Sequence, residues 1–118
     1  MTQPTPSVTH EDVIRIVRRD FGDGKLTEVQ AHLAAYGAQD GQRDTARVHL
    51  GILKLADGRM DRLRQMTEIA CSDWRDVLSP AEYRRYAALA WSGRTDAEAP
   101  QQAIEDDWTE YQSWLTRT

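Results

Sequence analysis

This sequence predicts an all-α protein, a compact bundle of five to six helices around a central antiparallel helical hairpin, on three observations. Apolar residues recur at intervals of three and four along most of the chain. Glycines or polar clusters separate these periodic segments. No stretch alternates apolar with polar residues as a half-buried strand would, and no segment repeats at a fixed period as in a solenoid.

Residues 1–8 contain two prolines and no periodicity, which reads as a flexible N-terminal tail, and 9–118 read as a single helical domain. Thr9, His10, Glu11 and Asp12 have the form of a helix cap with acids in the first turn. Val13, Ile14, Val17 and Phe21 give that helix its apolar stripe, and Gly22 is the expected left-handed stop. Leu26, Val29, Leu33 and Tyr36 mark a second helix ended by Gly37. A polar connector, "AQDGQRD", covers 38–44.

The segment "TARVHLGILKLA" (45–56) carries two overlapping stripes, Ala46–Leu50–Leu53 and Val48–Ile52–Leu55. A helix apolar on more than one side belongs at the centre of a core. After a short Asp57–Gly58 turn, Met60, Leu63, Met66, Ala70, Trp74 and Val77 share one face of a helix over 59–78. Two helices joined so tightly are expected to pack as a hairpin. "SPAE" at 79–82 reads as a capping box, with Ser79 as cap, Pro80 in the first helical position and Glu82 closing it. Tyr83, Tyr86, Ala87, Ala90 and Trp91 follow on that helix, "SGRTDAEA" breaks it, and Ile104, Trp108, Tyr111 and Leu115 mark a last helix from about Pro100.

A chain of 118 residues buries roughly 65% of its unfolded surface, enough for one core without disulfides or metals. No apolar run approaches the length of a membrane span, and the N-terminus lacks the basic start and apolar segment of a secretory signal. With one cysteine, Cys71, no internal disulfide is possible, and these features together point to the cytoplasm. The net charge is −4, and no segment has the basic excess of a non-specific nucleic-acid binder: 1–37 carry 4 bases and 5 acids, 38–78 carry 7 of each, and 79–118 carry 4 and 7. Arg outnumbers Lys 13 to 2. Phosphate or carboxylate recognition would explain that, but a GC-rich coding sequence explains it more cheaply.

Several stretches imitate sites. "DFGDGK" (20–25) has the letters of a kinase magnesium signature, but the Gly-rich loop, strand Lys and catalytic Asp that signature needs are absent. Taken as a calcium loop around Gly24, it would place Arg19, Phe21, Asp23 and Gln30 at ligand positions, three of them wrong. His10, His32 and His49 fall on three separate elements without a second ligand at helical spacing, so no metal is expected, and His49 reads as a partly buried, hydrogen-bonded histidine. Cys71, beside Asp73 on the flank of an apolar face, reads as a small buried hydrophobe rather than a nucleophile. In "DWRDVL" (73–78), Trp74, Val77 and Leu78 face inward, leaving Arg75 to fork onto a carboxylate. Glu11/Arg15, Asp61/Arg64, Arg64/Glu68 and Glu82/Arg85 stand at helical ion-pair spacings.

Residues 46–83, "ARVHLGILKLADGRMDRLRQMTEIACSDWRDVLSPAEY", resemble small bacterial proteins of uncharacterised function. In those, an R-V-x-L-x-I-L-K-L helix runs through a Gly/Asp turn into a helix ending near D-[YW]-R-D-V-L. The resemblance implies an all-helical bacterial cytoplasmic protein, and it supplies neither an activity nor functional residues.

Two functions compete on the residues. The first is a non-enzymatic protein-interaction module, its partner another protein or a second copy of itself, using the C-terminal aromatics Trp91, Trp108, Tyr111 and Trp114. The same rings could instead cap the bundle's own core. The second is a nucleic-acid-associated regulator reading through Arg59, Arg62 and Arg64, which Asp57 and Asp61 oppose by repelling phosphates. No nucleophile–base pair is visible, so neither an enzyme nor a cofactor is expected.

Overall fold

The computed structural model describes residues 5–37, 44–92 and 99–117, with backbone alone at 90–92 and 99. Seven α-helices are present among these residues and no strand: α1 His10–Asp20, α2 Leu26–Leu33, α3 Thr45–Ala56, α4 Met60–Ser72, α5 Arg75–Glu82, α6 Arg84–Ser92 and α7 Ala99–Thr116. The all-α expectation holds, with more helices than the five or six expected. The connector at 38–43, the break at 93–98 and the start of the tail at 1–4 lie outside the described residues.

Thr9 caps α1 reciprocally with Asp12, whose carboxylate accepts the Thr9 N–H at 2.9 Å. The helix buries Val13, Ile16 and Val17; Ile16 stood outside the stripe read from the sequence, and Ile14 is only half-buried. "DFGDGK" is a chain reversal. Phe21 packs half-buried on the core, and Asp23–Lys25 form one turn of 3₁₀-helix. Gly22 has a positive φ of 90°, but its ψ of 157° is extended, so it is not the left-handed helical stop expected.

α3 is the central element. Val48 through Leu53 are buried without interruption, and the helix packs on α1, α4 and α5. Burying each large aliphatic side chain there contributes about 1.5–3 kcal/mol. At Gly51 a Cβ would lie 3.2 Å from both Leu78 Cδ2 and Val77 Cγ1, so its missing side chain is what lets α3 and α5 approach closely.

The expected helix over 59–78 is two. α4 ends at Ser72, Asp73 turns extended (φ −157°, ψ 108°), and α5 starts at Arg75. The Asp73 carboxylate accepts the Arg75 N–H at 3.0 Å and draws the Arg75 guanidinium into a fork, at 3.0 and 2.9 Å. This cap displaces the one expected at Ser79: "SPAE" closes α5 instead of opening a helix, with Pro80 inside it. The ring removes one helical hydrogen bond, and the helix ends two residues later, where the Tyr83 N–H donates to the Ser79 carbonyl at 3.1 Å.

α6 then begins at Arg84. Asp107, from α7, accepts the backbone N–H groups of Arg85 and Tyr86 at 3.2 and 3.1 Å. Glu110, one turn further along α7, binds Lys54 of α3 at 3.3 Å and Arg84 of α6 at 2.7 Å. These carboxylates tie the last two helices together and to α3.

Candidate functional site

The best-formed site lies where α3, the α5–α6 junction and α7 meet the N-terminal segment. Its cavity is about 90 Å³, with Tyr83, Trp108 and Tyr111 supplying aromatic walls and Ile104 an aliphatic one. Arg47, Glu82 and Asp107 supply its charge. Thr5 and Pro6 complete the lining, and Pro6 is buried there although residues 5–9 belong to no helix.

Each polar group reaches the cavity for a local reason. Arg47, in the first turn of α3, forks onto Glu82 at the end of α5. Its Nε lies 2.8 Å from Oε2 and its Nη2 2.6 Å from Oε1. The Glu82 side chain is 5% exposed, so a paired guanidinium is a condition of its burial there. Pairing with Glu82 holds the Arg47 pKa above its ordinary value. Asp107 is 2% exposed and is held by Arg85 at 3.2 Å besides the α6 amides.

The two phenols differ. Tyr83 is half-buried and Tyr111 is 1% exposed. Burial first, and the Glu82 charge second, push both above the ordinary tyrosine range, so both stay protonated donors. Among the described residues nothing pairs with the Tyr111 hydroxyl. Arg47 Nη1 donates to none of them either.

The residues expected to meet a partner separate. Tyr111 and Trp114 belong to the protein's own core, Trp114 at 9% exposure with its ring 5.6 Å from that of Tyr111. Arg19 covers Trp114, its guanidinium 5.3 Å from the ring centroid, and donates to the Trp114 and Arg117 carbonyls at 2.5 and 2.7 Å. Trp108 is half-buried on the cavity wall. Trp91 lies on α6, and its side chain is outside the described residues.

The three arginines proposed for nucleic acid do not form a common basic surface. Arg59 pairs with Asp61 at 3.0 Å. Arg62 donates to the Leu55 carbonyl at 2.9 Å, closing the end of α3. Arg64 is exposed, in an open groove of about 400 Å³ between α2 and α4 that also holds His32 and Cys71. Cys71 is exposed rather than buried, its thiol 3.5 Å from the Ala35 carbonyl, because the flank of α4 there faces this groove. His49 is buried, with Nε2 3.0 Å from the Tyr36 carbonyl. None of the four ion pairs read from helical spacing forms. Arg15 takes Asp12, Glu82 takes Arg47, Arg85 takes Asp107, and neither Asp61 nor Glu68 pairs with Arg64.

No group of three His, Cys, Asp or Glu side chains among the described residues could hold a metal ion, and no described helix is long and apolar enough to cross a membrane. The sequence reading missed Arg47, Glu82 and Asp107 because each meets its partner across 21 or more residues. No protein-family model, curated protein or solved structure matches this chain.

Proposed function

We propose that this protein is a non-enzymatic interaction module whose docking site is the aromatic cavity between α3, α5 and α7, and whose partner presents an extended, proline-bearing segment. Pro6, buried in the cavity wall against the aromatic side, carries the reading. The protein's own segment thus displays the chemistry the site accepts. Proline suits it physically: its ring is apolar, and with no N–H it can be buried beside aromatic walls without leaving a donor unpaired. Aromatic grooves that take such segments gain further because a proline-rich strand is already extended, so little conformational freedom is lost on docking. Among the singled-out aromatics whose side chains are described, half-buried Trp108 on the cavity wall supports this role, with Tyr111 beside it.

In this reading the N-terminal segment is a weak occupant in cis, and a partner's segment, including that of a second copy, replaces it. The test uses the full-length Pro6→Ala variant and the acetylated, amidated hexapeptide of residues 2–7, TQPTPS. Calorimetric titration is expected to show one-to-one binding in the high-micromolar range, abolished when both peptide prolines are replaced by alanine. Equal binding of both peptides, or of neither, overturns the reading.

A further inference from the structure

The Tyr111 hydroxyl makes no hydrogen bond to the described residues of the fold. It is closed off from solvent, belongs to a core residue that lines the cavity, and meets no partner among the described residues. Leaving such a group unpaired costs stability, and replacing it by hydrogen would cost the core nothing. Arg47 lines the same cavity with an unspent Nη1, while Nε and Nη2 are committed to Glu82. The protein's own Thr5 and Pro6 line this cavity without satisfying the hydroxyl.

We propose that Tyr111 Oη, seconded by Arg47 Nη1, is the donor that reads a carbonyl oxygen of the incoming segment, the tertiary-amide carbonyl that precedes its proline. This rests on the docking reading above and adds the ligand atom that the site recognises. The charges argue for a neutral acceptor over a carboxylate, since the lining carries Glu82 and Asp107 against Arg47 alone. On this proposal a competitor that places a carbonyl there makes one hydrogen bond more than the segment it displaces.

Tyr111→Phe removes the oxygen and keeps the ring. The test compares full-length Pro6→Ala with Pro6→Ala/Tyr111→Phe, titrating each with the TQPTPS peptide and with N,N-dimethylacetamide, a bare tertiary amide. The expected result is a melting temperature unchanged or raised by Tyr111→Phe, with peptide affinity reduced about tenfold, as the loss of one hydrogen bond gives. If dimethylacetamide binding falls in parallel, the isolated amide is sufficient for recognition; if only the peptide loses affinity, the carbonyl is read within a segment. Equal peptide affinity for both proteins overturns the carbonyl assignment and leaves the docking reading standing. Absence of peptide binding to Pro6→Ala removes both. A lowered melting temperature places the hydroxyl in a hydrogen bond of the fold itself and overturns the assignment.

Discussion

His49 and Glu82 are ionisable side chains almost withdrawn from water, and each fixes a measurable property. Burial first, with the His10 charge adding to it, lowers the His49 pKa below the ordinary 6.5, against the pull of the Tyr36 and Leu33 carbonyls. The unfolded chain therefore takes up a proton at a pH where the folded protein still resists it. Stability is full above 6.5 and falls as the solution is acidified below it. The loss is at most about 1.4 kcal/mol per pH unit for this one group. Melting curves between about pH 7.5 and 5.5 should show this slope, and His49→Gln should flatten it; an unchanged slope in the variant assigns the effect elsewhere. Glu82 depends on Arg47 in another way. Arg47→Ala strands a carboxylate that is 5% exposed, and urea denaturation should register a loss of about 3–5 kcal/mol. A loss below about 1 kcal/mol would mean that water reaches Glu82 without the guanidinium.

These residues mark the boundary of what the linear sequence discloses. The burial of His49 is legible because the stripes on either side of it are local. The Glu82 partner is not: local spacing offers Arg85, three residues on, whereas the bidentate geometry and the drier site belong to Arg47, 35 residues away. Tyr111 and Trp114 could be read as core or as interface because a three-and-four repeat gives the face of a helix without saying what covers it.

Helix boundaries follow the same logic. Ser79, Pro80 and Glu82 satisfy every local condition for a helix start, yet Asp73 caps first and the fold uses the proline near an end. α6 relies on Asp107 from a neighbouring helix, a cap with no local signature. The end of α7 is likewise secured by Arg19 of α1, through two carbonyls and the Trp114 face. Arg19→Ala should therefore fray that end, with amide exchange at 114–117 accelerating well beyond any change in α3, and a stability loss of about 1–3 kcal/mol. Uniform acceleration across both helices would show that the contact stabilises the fold as a whole rather than the end of α7.

At the scale of the whole molecule, α3 is enclosed by α1, α4 and α5, while α6 and α7 are held by a few charged links and by the aromatic floor around Tyr111. The aromatic cavity falls at this seam, where α3 and α5 meet α7 and the N-terminal segment. The all-helical class was legible because it depends on periodicity alone. The seam was not, because it is made by residues 6, 47, 83, 108 and 111 coming together, and the tail contributing Pro6 carried no periodic signal.

The most direct test is a two-dimensional ¹H–¹⁵N spectrum of the full-length Pro6→Ala protein during titration with the TQPTPS peptide. The docking account predicts that the Trp108 indole N–H, the Arg47 Nε–H and the amides of Tyr83 and Tyr111 shift together on one saturating curve, while Arg59, Arg62 and Arg64 stay still. Shifts centred on residues 59–64, or no shift at Trp108 at saturating peptide, would contradict it.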